Sequence, residues 1–315
     1  MILSAGLTPA WQQVVVFDAF RYGEVNRARG VHWFASGKVF NAAIAVHRLG
    51  GPGLALAPAG GPLLEQIRQD LGEMGLATRL VVTESATRVC TTIIDRGSGK
   101  ITELVENGRP LSDGELAAFR DAYAEEAARA EVAILIGSLP AGTPASFYRE
   151  LVERTPGAAV LDFRGEGLLA CLDLKPYVVK PNREELAQTL GRPLASDKEL
   201  REAMQSLNRR GAQWVVVSQG SGPVWITSEN AAWRAHPIPV APQEIVNPIG
   251  CGDALTAAIA CATREGRDLV DGVRLGLAAA HANVRQLRQC RFDPAGVRQR
   301  AGEVRLEKML EGRLP

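Results

Sequence analysis

Val246-Asn247-Pro248-Ile249-Gly250-Cys251-Gly252-Asp253-Ala254-Leu255-Thr256-Ala257-Ala258-Ile259-Ala260 is the stretch whose reading decides the fold. Pro248 and the two glycines stop any preceding strand, and a run of small apolar residues suited to a buried helix begins at once. Gly250-Cys251-Gly252-Asp253 therefore falls at a helix N-terminus, where unpaired backbone N–H groups and the helix dipole favour an anion. With no side chain at Gly250 or Gly252 to block approach, such a turn can cradle charge developing on a phosphoryl group. Asp253 beside it can take a proton from an attacking hydroxyl. A Gly-x-Gly-Asp tetrapeptide alone is an ordinary capped turn, so its meaning depends on the rest of the chain.

Composition narrows that context. A chain of 315 residues with 46% hydrophobic residues can bury a large core. A formal net charge of +1 gives no general attraction for nucleic acid. A small-molecule partner fits better. Cys90, Cys171, Cys251, Cys261 and Cys290 form no C-x-x-C pair, which suits reduced thiols in a cytosol and implies no metal site. The first residues lack a basic leader, and no stretch reaches the roughly 18 apolar residues of a membrane span. The expected location is the cytoplasm, with no membrane partner.

Outward from the central stretch, strand and helix patterns alternate. Helices are expected over 39–50, 111–129, 146–154, 184–190, 198–211, 253–265, 269–287 and 294–310. Strands are expected over 1–7, 132–136, 158–163, 177–179, 214–218, 224–227 and 231–235. Near-continuous apolar strands fed by helices describe a mainly parallel sheet covered on both faces, with ligands at the carboxyl ends of its strands. Two strand pairs lack an intervening helix: 13–17 with 24–31, and 87–95 with 100–105 across the turn 96–99. They are expected to form one small antiparallel sheet, a lid drawn from about 11–34 and 86–107. The chain then reads as one domain, 1–315, with a discontinuous lid. Its alternating apolar residues, with Trp11 and Trp33, predict a homodimer formed through the lids. His32, His47, His236 and His281 have no ligand or triad spacing and are read as structural.

The ordered motifs Ser36-Gly37-Lys38…Asn41, Thr87-Arg88, Gly137-Ser138-Leu139-Pro140-Ala141-Gly142, Lys180-Pro181-Asn182-Arg183-Glu184-Glu185, Ser218-Gln219-Gly220 and Gly250-Cys251-Gly252-Asp253 span nearly the whole chain. Together they resemble the ribokinase (PfkB) family of sugar kinases, most closely its fructose-1-phosphate kinase and tagatose-6-phosphate kinase branch. The resemblance implies a ribokinase-like three-layer α/β/α domain with a mainly parallel central sheet and a small antiparallel β-sheet lid. It implies Asp253 as base and Gly250, Cys251 and Gly252 as anion hole, with Cys251 a small apolar substitute rather than a nucleophile. Lys180, Asn182, Ser218, Gly220 and Asn283 look like the nucleotide site for ATP, and Glu185 the Mg²⁺ site. Asn182 and Glu185 also have the spacing of a helix capping box. Lys38, Asn41, Arg88, Ser138 and Gln12 look like the acceptor site, with Lys38 and Arg88 facing a phosphate already on the sugar.

The departures from the family pattern cluster on the acceptor side. Gln12 stands where the family has an aspartate, Ser36 and Val39 where it has glycines, and Val105 where the branch has an asparagine. The expected reaction is ATP-dependent phosphorylation of a sugar phosphate to a bisphosphate. The alternatives are a kinase of an unphosphorylated sugar or nucleoside, and a nucleotide-binding regulatory homologue with little turnover. Retention of Asp253 and Lys38 favours the enzyme, because a pure binder needs no base.

Overall fold

Along the central strands, alternate side chains go to opposite sides. Ile2, Ala55, Ile134, Val160 and Val216 join one apolar core, while Leu3, Leu56, Leu135, Leu161 and Val217 join a second. A sheet buried on both faces must be covered twice, and the helices divide accordingly. The computed structural model describes residues 1–309. In chain order these form β1 (Ile2–Ala5), β2 (Ala10–Phe17), β3 (Gly30–Ser36), α1 (Lys38–Arg48), β4 (Gly53–Gly60), α2 (Leu64–Gly72), β5 (Ala77–Thr83), β6 (Arg88–Asp95), β7 (Lys100–Val105) and α3 (Asp113–Ala127). Next come β8 (Val132–Ile136), α4 (Phe147–Val152), β9 (Ala158–Asp162), α5 (Glu166–Leu169), β10 (Val178–Val179), α6 (Arg183–Leu190), α7 (Asp197–Arg209) and β11 (Trp214–Val217). The chain continues through β12 (Val224–Thr227), β13 (Ala232–His236), α8 (Cys251–Arg264), α9 (Leu269–Asn283), α10 (Val297–Arg300) and β14 (Arg305–Met309).

The larger sheet has the order β14-β13-β12-β11-β10-β9-β8-β1-β4-β5. It is parallel from β11 to β5 and antiparallel from β11 to β14. Helices α1, α2, α8 and α9 pack on one core, and α3, α4, α6 and α7 on the other. This is the three-layer ribokinase-like α/β/α arrangement. A second sheet, β3-β2-β6-β7, stands apart. Both of its strand pairs are antiparallel as expected, but they join along a parallel β2–β6 seam, so the small sheet is mixed.

Four segments differ from the sequence reading. Residues 51–86, given no elements, supply β4, α2 and β5; the Ala-, Gly- and Pro-containing β4 carries little strand propensity and is held by its position in the sheet. The strand expected at 24–31 begins at Gly30. Before it the chain loops, and the Asn26 side-chain amide bonds both the N–H and the carbonyl of Arg21 at 2.8 Å. The helix expected to 287 ends at Asn283, because that side chain turns to accept the Cys290 N–H at 2.6 Å. The helix expected over 294–310 is only α10, followed by β14; Leu310 lies outside the described residues. Pairing overrides helix propensity there: Glu307 meets Arg234 at 2.8 Å and His236 at 3.3 Å across the β13–β14 ladder.

Two glycines are dictated by geometry. Gly37, the N-cap of α1, has φ 89°, and a Cβ there would lie 2.9 Å from both the Ala10 nitrogen and the Thr8 carbonyl oxygen. Gly250, the N-cap of α8, has φ 86°, and its Cβ would come 3.0 Å from Cβ of Gln289.

Candidate active site

The carboxyl ends of β9, β10 and β11 deliver Asp162, Lys180 and Ser218 to one side of the sheet. The N-termini of α1, α6 and α8 deliver Lys38, Glu185 and Asp253 to the same side. These residues line a cavity of about 320 Å³, roofed by Gln12, Arg88, Cys90, Glu103 and Val105 of the small sheet. That position is where a ligand is expected in an open parallel sheet.

Asp253, only 6% exposed, sits in the first turn of α8 and accepts a 2.8 Å hydrogen bond from Nδ2 of Asn41. Asn41 is itself fixed by the Ser36 hydroxyl, which donates to its Oδ1 at 2.9 Å. Burial pushes the Asp253 carboxyl up to about 6, while the Lys38 ammonium and the Asn41 bond work in the opposite direction. The helix terminus therefore does not set its titration. Desolvation does, and it leaves a carboxylate ionised at neutral pH with useful basicity. Among the described residues the N–H groups of Gly250, Gly252 and Asp253 have no acceptor, whereas that of Cys251 is held by the Pro248 carbonyl at 3.3 Å. The amides free to meet an anion at this turn thus flank Cys251, whose own amide is taken. Burial raises the Cys251 thiol to about 11, consistent with a packing role.

Asp162 is a hub that the sequence reading missed. Its Oδ2 pairs with Nζ of Lys180 at 2.9 Å and accepts from Thr256 Oγ1 at 2.6 Å, and its Oδ1 meets Nζ of Lys38 at 3.3 Å. Burial would raise its carboxyl, but the two lysines and Thr256 hold it down to about 2. A carboxylate closing an apolar parallel strand, at the end where ligands bind, was the available signal. Lys180, buried beside it, lies under the Gly250–Asp253 turn: a Cβ on Gly252 would lie 3.8 Å from its Nζ.

Asn182 and Glu185 realise the capping box. The Asn182 side chain accepts the Glu185 N–H at 2.8 Å, and Oε2 of Glu185 accepts the Asn182 N–H at 2.9 Å. The remaining oxygen of Glu185 meets Nζ of Lys38 at 3.4 Å. Asp162 foremost, then Glu185 and Asp253, raise the Lys38 ammonium well above its ordinary value against the burial that would lower it. Arg88 is equally engaged: Nε donates to the Pro9 carbonyl at 3.2 Å, and its two terminal nitrogens to the Glu106 and Thr8 carbonyls at 2.8 and 2.9 Å. Gln12 is 2% exposed and donates to Thr92 Oγ1 at 3.0 Å. Glu103, also missed, lines the cavity from β7; although exposed on that edge strand, its carboxyl is raised by partial desolvation against the cavity wall, Arg88 acting in the other direction.

Two of the expected residues lie in adjoining hollows. Ser138 belongs to a second cavity of about 530 Å³, joined to the first along Lys38, Arg88, Val105 and Glu185. Gly220 belongs to a third, of about 550 Å³, joined through Asn182 and Ser218. Asn283, expected in the nucleotide site, lies elsewhere. It is fully buried, and its amide bonds the Ile249 carbonyl at 3.0 Å, Cys251 Sγ at 3.3 Å and the Cys290 N–H. It braces the Ile249–Cys251 loop from behind and lines none of these three cavities.

A buried carboxylate beside unpaired amides at a helix terminus, with two lysines lining the same cavity, is an arrangement suited to phosphoryl transfer. Residues 4–294 match the pfkB family of carbohydrate kinases. The chain belongs to that family. Over 310 residues the kinase is 28% identical to the 1-phosphofructokinase of Borreliella burgdorferi, covering 98% of each chain. It superposes on a possible 1-phosphofructokinase of Thermotoga maritima with a TM-score of 0.89, a likeness of fold at 21% identity over 98% of this chain and 99% of that one. It superposes on phosphofructokinase-2 of Escherichia coli, in complex with fructose-6-phosphate, with a TM-score of 0.83 at 26% identity over 96% and 99% of the two chains. This kinase is therefore a 1-phosphofructokinase-like phosphotransferase with an alcohol group as acceptor.

Proposed function

We propose that the enzyme transfers the terminal phosphoryl group of ATP to a hydroxyl of a phosphorylated ketohexose, of the fructose 1-phosphate or tagatose 6-phosphate type, to give a bisphosphate. The observation that carries this reading is the buried Asp253, held by Asn41 beside the unpaired amides of the α8 terminus. Asp253 takes the proton of the acceptor hydroxyl. The hydroxyl oxygen forms the new P–O bond as the bond to ADP breaks, and ADP leaves with the electron pair. The amides of Gly250, Gly252 and Asp253, with Lys180 beneath them, meet the charge on the transferring group.

ATP is assigned to the side of the cavity bounded by Lys180, Asn182 and Ser218, continuing toward Gly220. The oxygen donors there suit Mg²⁺, a hard cation that keeps much of its water. Glu185, which lines this cavity, is the protein carboxylate assigned to it. When bound, Mg²⁺ supplies positive charge to the nucleotide phosphates. Gln12, Asn41, Lys38, Arg88 and Ser138 border the space assigned to the acceptor.

The small sheet is assigned the role of a lid within a single domain. Its outer face has the cross-strand row Trp33-Gln13-Thr91-Leu104, with Val31-Val15-Ile93-Thr102 beside it. Val31, Trp33 and Leu104 are 46%, 44% and 54% exposed, and covering this apolar face is the reason to assign a lid-to-lid homodimer. No helix among the described residues is long and apolar enough to cross a membrane. The assigned compartment is the cytoplasm, where the five free cysteines would stay reduced.

ADP release measured over sugar phosphates, unphosphorylated sugars and nucleosides tests the reading. The highest kcat/KM is expected with a ketohexose phosphate. Preference for an unphosphorylated sugar or nucleoside would overturn the acceptor assignment. Turnover of none, with ATP still bound, would favour the regulatory alternative.

A further inference from the structure

Three cations line the second cavity beside Ser138: Lys38, Arg88 and Arg164. Two are already engaged by the protein. Lys38 lies between Asp162 at 3.3 Å and Glu185 at 3.4 Å, and Arg88 donates to three backbone carbonyls. Arg164 differs from both. It follows the hub residue Asp162 by two positions at the carboxyl end of β9, is exposed, and makes no hydrogen bond or ion pair among the described residues. The carboxylates on this cavity are Glu185, which Lys38 already faces, and Glu166. A guanidinium fork without a partner among the described residues, lining the same cavity as Ser138, which shares Lys38, Arg88, Val105 and Glu185 with the cavity holding Asp253, presents the donor geometry that matches a phosphate dianion.

We propose that Arg164 binds the non-reacting phosphate of the acceptor and sets the preference of the enzyme for phosphorylated over unphosphorylated sugars. This rests on the reading that the acceptor carries a phosphate. It also explains how a phosphate is held although Arg88 is spent on carbonyls: the two arginines divide the work, Arg88 fixing the Thr8–Pro9 turn to β6 and Arg164 meeting the ligand.

Steady-state kinetics of the full-length enzyme, its Arg164→Ala variant and its Arg164→Lys variant test the assignment, with fructose 1-phosphate, fructose 6-phosphate and fructose as acceptors. ATP binding is measured in parallel by titration. Arg164→Ala is expected to raise KM for the preferred sugar phosphate roughly 10- to 100-fold, the factor associated with loss of one charge-assisted bond. KM for ATP should stay within about two-fold, and Arg164→Lys should recover part of the loss because it restores the charge without the fork. The ratio of kcat/KM for the sugar phosphate to that for fructose should fall by a similar factor. A purely structural arginine would lower both activities together. If the wild type prefers a sugar phosphate and Arg164→Ala leaves its KM unchanged, the Arg164 assignment fails while the acceptor reading stands. If the wild type prefers an unphosphorylated acceptor, the acceptor reading fails and this assignment with it.

Discussion

The floor and the roof of the cavity are built differently. On the floor, Asp162, Lys180, Thr256, Asn41 and Asp253 are all buried and each has a short, specific partner. Behind them Asn283 and Cys290 hold the Gly250 loop. On the roof, Glu103 and Val105 are exposed on the edge strand β7. Where a buried charge network is complete, any one change leaves an uncompensated charge or an unpaired donor, so the residue choices are tightly constrained. Where side chains meet only solvent and ligand, the physics permits substitution, and acceptor choice can be altered there without loss of the fold.

The largest effect should follow from removing the base. Asp253→Asn keeps the size of the side chain and its place beside Asn41, yet an amide cannot take the acceptor proton. Turnover is expected to fall by about 10²- to 10⁴-fold, with ATP affinity unchanged within a few-fold. Rapid-quench measurement of ADP formation together with a binding titration checks this. Retained turnover would break the assignment of chemistry to the floor.

Next in size is Asp162→Asn, which leaves the buried Lys180 facing a neutral amide. Breaking a buried pair in this way costs about 3–5 kcal/mol, so a clear drop in thermal midpoint is expected by calorimetry. A truncation on the roof, such as Val105→Ala, should lower stability far less, since that residue is 55% exposed. Equal losses at the two positions would erase the distinction between floor and roof.

How much of this was legible in the sequence follows the same division. The Gly250–Asp253 turn, the α1 start and the Asn182–Glu185 cap each carry local signals in glycine, proline and capping residues, and each took the expected form. Most of the strands covered on both faces were likewise visible as apolar runs. Asp162 was not recognised, because its importance comes from Lys38, Lys180 and Thr256, which lie 124, 18 and 94 positions away in the chain. Asn283 was given the wrong partners, because its role depends on a loop that returns to meet it. Strand β14 was read as helix because its pairing with β13 is a tertiary event with no local trace.

A smaller and more diagnostic effect is the acid limb of the rate profile. Asp253 protonates as pH falls through about 6, so log kcat/KM should decline below that pH while ATP binding persists. The neighbouring charges fix the direction of further shifts. The Lys38 ammonium lowers the Asp253 pKa, so Lys38→Met should move the limb to higher pH; the Asp162 charge raises it, so Asp162→Asn should move it lower. Shifts of the same sign in the two variants would show that the limb belongs to another group.

The smallest expected effect on turnover lies on the outer face of the roof, and it asks whether the roof is only a lid. Trp33 stands on the edge strand β3, 44% exposed in a row with Leu104 across the sheet, on the face opposite the buried Val14, Phe34 and Ile94. If this face is covered by a second copy of the chain, Trp33→Glu places a charge in an apolar contact on both partners. Each side then loses burial worth about 2 kcal/mol or more, enough to move dimerisation by orders of magnitude. Sedimentation at micromolar concentration should then show a dimer for the wild type and a monomer for the variant. Turnover by the variant should be affected far less than by any floor substitution, because Trp33 lines none of the cavities. A wild-type monomer would overturn the dimer. A variant that is monomeric and has also lost acceptor affinity would show that the roof needs its partner to hold the acceptor, joining the two regions that the rest of the structure separates.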